Sequence, residues 1–155
     1  MNQLFETKDL KEFKIIGISV RTTNKNNQAL KDIGELFGKF MSQNISNKIP
    51  DKLTDDIYCV YTDYESDFNG PYSAIIGCKV SAITDIPAGL TGKTIPGSKY
   101  QVYKSTGKLS ISLSKTWEGI WSSDINRRYT ADFDIYGEKA KDFENAEVET
   151  YVSVN

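Results

Sequence analysis

Apolar residues recur along this chain with two periods, and the changes of period divide it into elements. Residues 12–21, EFKIIGISVR, read as a strand in which Gly17 marks a bulge or a close backbone approach. A polar turn with Asn24, Asn26 and Asn27 follows, any of which could N-cap a helix. Ala29, Leu30, Ile33, Leu36, Phe37, Phe40 and Met41 then return at three- and four-residue spacing, the signature of an amphipathic helix. Pro50-Asp51 reads as loop, residues 57–64 as a second strand, Asn69-Gly70-Pro71 as a turn, and residues 72–83 as a third strand.

The same β-α-β-β order repeats after a Gly- and Pro-rich connection over residues 86–97. Residues 98–104 read as a strand, and Leu113, Trp117, Ile120 and Trp121 mark one face of a helix. Residues 129–136 and 148–154 complete the unit, separated by a polar loop with Lys139, Lys141 and Asp142. Setting 57–64 beside 129–136 places Tyr61 against Phe133 and Tyr64 against Tyr136. With the shared order, this favours a duplicated unit with halves at about 10–84 and 95–155. The expected fold is α+β: an antiparallel or mixed sheet, two main helices on one side, pseudo-twofold symmetry and a central ligand cleft.

Composition narrows the chemistry. The chain has 155 residues, enough for a single domain spanning 1–155, with 39 % hydrophobic and 26 % charged residues. A net charge of −2 without a basic stripe argues against nucleic-acid binding. Apolar runs such as residues 74–78 are too short to span a bilayer, and the polar stretch Met1 to Lys11 has no leader-like core, so the expected location is cytoplasmic. The chain contains no histidine, which excludes Ser-His-Asp and Cys-His catalysis and His-bearing zinc sites. Cys59 and Cys78 lie among apolar neighbours and read as buried small hydrophobes. Gly92-Lys93-Thr94 is no P-loop, because Pro87 stands where the first glycine would be needed. No cofactor is expected. The anticipated state is a monomer or weak dimer whose partner is a small molecule.

Candidate site residues come from the 129–136 strand. Ala131, Phe133 and Ile135 occupy one face, while Thr130, Asp132, Asp134 and Tyr136 share the other. Carboxylates among tyrosine and tryptophan rings suit an apolar cation. Trp117 and Trp121, four apart on one helix, both face the sheet in this reading. Tyr61 and Tyr64 are expected on opposite strand faces, so that at most one lines a common cavity. The repeat makes Tyr64 and Tyr136 the preferred walls, with Tyr103 and Tyr151 as further ones. Arg127 and Arg128 read as a solvated loop.

These residues, in order from Phe13 to Val154, resemble the GyrI-like effector-binding domains, the ligand-sensing halves of MerR- and AraC-type multidrug regulators, which also occur alone. Residues 60–64, VYTDY, are similar to that family's tyrosine-bearing second strand, and Tyr72, Gly77 and Val80 to its third. Ile95, Gly97, Tyr100, Val102 and Gly107 fit its second opening, and Trp117-Glu118-Gly119-Ile120-Trp121 its W-x-x-I-W helix. Residues 132–136 resemble its Phe-Glu-x-Tyr strand, and residues 148–152 its closing strand.

The resemblance implies an aromatic pocket with a central acid that contacts lipophilic cations. That acid falls on Asp134, where the family more often has Glu. Asp132 has no family counterpart and is expected to be solvated. Ser153 stands where the family often has Pro, a difference expected to matter little for binding. No helix-turn-helix segment is read in these residues, so the chain is expected to be a sensor in its stand-alone form. Binding of small hydrophobic, often cationic molecules is the favoured function. The alternatives are hydrolysis of strained electrophiles, with Asp134 as base or nucleophile, and a protein-interaction role such as gyrase inhibition.

Overall fold

In the computed structural model, which describes residues 4–155, the elements run β1 (Leu4–Leu10), β2 (Phe13–Thr22), α1 (Gln28–Ser42), α2 (Ile45–Lys48), β3 (Ile57–Thr62), β4 (Tyr72–Val80), β5 (Thr91–Ile95), β6 (Ser98–Gly107), α3 (Leu109–Ser122), β7 (Ala131–Tyr136) and β8 (Ala146–Val154). The stretch from Met1 to Lys11 therefore has its first three residues outside the described ones. All strands join one antiparallel sheet ordered β1-β6-β8-β7-β3-β4-β2-β5.

That order carries the expected pseudo-twofold arrangement. On one side of the centre lie β3, β4 and β2; on the other lie β7, β8 and β6, their counterparts in the second unit. The axis falls between β3 and β7, where Cys59 pairs with Asp134 and Tyr61 with Asp132. Two strands were not legible in the pattern. β1 falls in the polar N-terminal stretch and β5 in the Gly- and Pro-rich connection; each completes the edge of a strand with a strong apolar pattern, β6 or β2.

β1 and β2 occupy the first and seventh places in the sheet, yet only Lys11 and Glu12 join them. The three Cα–Cα steps from Leu10 to Phe13 span at most about 11 Å, so the sheet must coil until its ends approach. The coil encloses a core of Phe13, Ile15, Tyr58, Val60, Ile75, Ile95, Tyr100, Val102, Ala131, Phe133 and Tyr151. Gly17 and Gly77 face each other across β2 and β4, and a Cβ on Gly77 would lie 2.2 Å from the Ile16 carbonyl oxygen. The close approach anticipated at Gly17 is therefore real.

The other sheet face carries both main helices. α1 buries Leu36 and Phe40 against Ile16, Ile18, Cys59, Ile76 and Cys78, while α3 buries Ile120 against Tyr103 and Val152. Both cysteines are free and buried, as their apolar neighbours imply. Asn27 holds the N-cap position of α1, but its backbone is left-handed and its side chain makes no capping bond. α1 rests on β2 and β4, and α3 on β6 and β8, which leaves the axial pair β3–β7 as the floor between them.

Candidate functional site

Two carboxylates lie at this floor, both fully buried. β7 presents Asp132 and Asp134 to the helix-bearing face because alternate residues share a face. Asp134 accepts from three side chains on three other elements: Thr150 Oγ1 at 2.5 Å, the Tyr61 hydroxyl at 2.5 Å and the Trp117 indole Nε1 at 3.2 Å. Among the described residues it has no ion-pair partner. Burial pushes its carboxyl up to about 6 against the opposing pull of the Thr150, Tyr61 and Trp117 donors, and Asp132 adds a smaller push. At neutral pH Asp134 is therefore a buried anion, satisfied by neutral donors alone.

Tyr61 and Trp117 meet edge-on at 5.2 Å and are only half-buried. These two partly exposed rings cover the fully buried Asp134, to which both donate. Tyr136 stands beside this lid, edge-on to Phe37 of α1 at 5.0 Å. Burial, and then Asp134, hold the Tyr61 and Tyr136 hydroxyls well above their ordinary range, so both remain protonated.

Asp132 was expected to be solvated, as was Arg127; both are buried and paired with each other. Arg127 Nη2 donates to Asp132 at 2.7 Å, as does the Tyr64 hydroxyl at 2.5 Å. The Ser153 main-chain N–H donates at 2.8 Å, which a proline at that place could not do. The guanidinium carbon of Arg127 sits 4.4 Å from the Tyr129 ring centre and 5.8–5.9 Å from those of Trp117, Tyr64 and Phe68. Arg128 is exposed, in agreement with the loop reading.

Tyr61 and Tyr64 were expected on opposite faces, but each reaches an acid on the same face. β3 ends at Thr62, and Asp63 takes a left-handed backbone (φ 52°) that breaks the alternation and returns Tyr64 to the floor. Trp121 stacks on Phe68 at 6.0 Å with rings 7° from parallel. Tyr103 is buried under α3 with Ile120 and Val152. Tyr151 pairs with Phe133 and therefore faces the opposite side of the sheet, where it lines a separate hollow of about 280 Å³ with Phe13, Tyr58 and Lys79.

Residues 6–154 match the family model of the integron-associated effector-binding proteins, Cass2. The chain belongs to this family. It is 31 % identical to YobU of Bacillus subtilis (strain 168), described as a candidate transcriptional regulator, over 94 % of this chain and 93 % of that protein. The integron cassette protein VCH_CASS2 of Vibrio cholerae has the same fold, with a TM-score of 0.77, 29 % identity and coverage of 99 % and 97 %. SAV2435, solved bound to tetraphenylphosphonium, superposes with a TM-score of 0.79 at 18 % identity, covering 97 % of this chain and 93 % of that one. The GyrI-like resemblance is thereby borne out, and with it small-molecule effector binding as the family's general role. Among the described residues no helix is long and apolar enough to cross a membrane.

Within this Cass2-family chain the arrangement pairs one compensated carboxylate with one uncompensated carboxylate, two residues apart. Pattern reading missed Thr150, Phe68, Tyr129 and the Arg127–Asp132 pair. For Thr150 a signal existed, since Val148, Thr150 and Val152 alternate on one face of β8. For Arg127 there was none, because its burial depends on Tyr64, Phe68 and Trp117 converging on it in the assembled fold.

Proposed function

We propose that the chain binds small hydrophobic organic cations, with Asp134 as the carboxylate that receives the charge and Tyr61, Trp117 and Tyr136 as the walls. The observation that carries this reading is the electrostatic state of Asp134. An ionised buried carboxylate is costly without a cation nearby, even when its hydrogen bonds are made. Arg127 neutralises Asp132 and leaves Asp134 uncompensated. A ligand cation that parts Tyr61 from Trp117 would supply the missing charge and exchange ring–ring contacts for cation–ring contacts worth about 0.5–2 kcal/mol each.

The family's effector-binding role and a fold-mate solved with a lipophilic phosphonium support the choice of ligand class. Isothermal titration with tetraphenylphosphonium tests it, with tetraphenylborate as an anion of the same shape. Saturable binding of the phosphonium at micromolar Kd, about −8 kcal/mol, with no detectable binding of the borate, is the expected result. Equal binding of both ions would reduce the site to an apolar surface without charge selection.

A further inference from the structure

The Tyr64, Phe68, Trp117 and Tyr129 rings form a cage of the kind that receives organic cations, and the cage already holds the chain's own Arg127. Tyr129 faces the guanidinium most closely from a left-handed backbone (φ 59°), a conformation that bulky residues rarely adopt and that the surrounding contacts must enforce. Arg127 Nη2 is committed to Asp132, whereas Nε and Nη1 are buried without a hydrogen-bond acceptor among the described residues. Unmade hydrogen bonds of a buried charged group are unusual in native proteins and call for an acceptor from outside the chain, a water or a ligand group.

We propose that Arg127 is a specificity-determining residue of the binding site, selecting organic cations that also carry a neutral acceptor oxygen such as a ketone, ester or amide carbonyl. The inference rests on Asp134 receiving the cation. Trp117 connects the two poles: its indole N–H is on Asp134 and its ring lies 5.8 Å from the Arg127 guanidinium carbon. Displacing Trp117 from Asp134 therefore uncovers Arg127 as well, and one substituted phenyl ring bridges the two. The acceptor must be neutral, because Asp132 already balances the guanidinium charge and an anionic group would meet an uncompensated carboxylate. A second plain cation in the cage meets Arg127 as a like charge, so the cage half rejects it.

Three phosphonium probes test this by titration calorimetry: tetraphenylphosphonium, its 4-acetyl derivative, and the 4-isopropenyl derivative, which copies the acetyl shape without the oxygen. Wild-type protein is expected to bind the acetyl probe about tenfold more tightly than the isopropenyl probe. Arg127→Met alone would strand Asp132, so the test variant is Arg127→Met with Asp132→Asn, in which the two probes should bind within about twofold of each other. Arg127→Lys, which keeps the charge beside Asp132 but lacks the Nε–H and the planar fork, should also lose the preference, and it serves should the double variant fail to fold. Equal affinities in the wild type, or a preference that survives in Arg127→Lys or the double variant, would overturn the role of Arg127 while leaving the Asp134 reading in place. Failure of all three probes to bind the wild type would remove both.

Discussion

Asp132 and Asp134, two residues apart on one strand and both fully buried, stand in opposite electrostatic situations: Arg127 lies 2.7 Å from Asp132, and among the described residues no cation pairs with Asp134. The first ties β7 to β8, to the Tyr64 loop and to the Arg127 turn. The second is held by three neutral donors, from β8, β3 and α3.

Asp134 should make the protein less stable as pH rises through the weakly acid range. Its folded pKa, about 6, lies above the unfolded value, so between about pH 4 and 6 the native state binds more protons than the unfolded chain. The stability due to this residue is complete below that window and lost above it, by roughly 3 kcal/mol at most. Urea melts of wild type and Asp134→Asn should show the variant gaining relative stability across the window and level above it. A constant difference from pH 4 to 7 would show an unshifted carboxyl.

Breaking the Arg127–Asp132 pair should cost more than removing it. Arg127→Met and Asp132→Asn each leave one buried group unpaired, at an expected cost of about 3–5 kcal/mol for the stranded carboxylate. The double variant should recover much of that loss. A double-mutant cycle from urea denaturation gives the coupling directly, and additive losses would show two groups that act independently.

Ser153→Pro should destabilise by about 2 kcal/mol or more, since proline removes the N–H that Asp132 accepts. Ser153→Ala keeps that N–H and loses only the 3.2 Å hydroxyl contact, so about 1 kcal/mol is expected. Thermal melts of both variants decide whether the main-chain bond or the hydroxyl matters.

Much of this organisation was legible in the sequence because it rests on local periodicity. The α1 stripe, the α3 face and the alternation of residues 131–136 are each set by side chains a few positions apart, and each element formed where the pattern placed it, although Leu30 and Met41, read into the α1 stripe, are exposed. What was hidden depends on the backbone at single residues or on distant pairing. One left-handed residue, Asp63, reverses the facing of Tyr64. Tyr151 could be assigned to a face only once Phe133 was known to pair with it. Arg127 and Asp132 look like surface charges in one dimension, because only the assembled loop, helix and strand remove them from water.

Two alanine substitutions should have opposite effects. In Gly77→Ala the new methyl would lie 2.2 Å from the Ile16 carbonyl oxygen and force β2 and β4 apart, at a cost of about 3 kcal/mol or more. Gly34→Ala adds a methyl to an exposed helix position with nothing within 4 Å and should stabilise by about 0.5–1 kcal/mol. Equilibrium urea denaturation measures both, and similar values would contradict the packing described at Gly17 and Gly77.

The most direct test of Asp134 as the ligand's counter-charge is the tetraphenylphosphonium affinity of wild type and Asp134→Asn, measured by calorimetry from pH 5 to 7.5. Because the carboxyl ionises at about 6, the wild-type affinity should rise about tenfold between pH 5 and 7 and then level off. Asp134→Asn should bind at least about tenfold more weakly at pH 7, with no dependence on pH over this range. The same affinity and the same pH profile in both proteins would contradict the account at its centre.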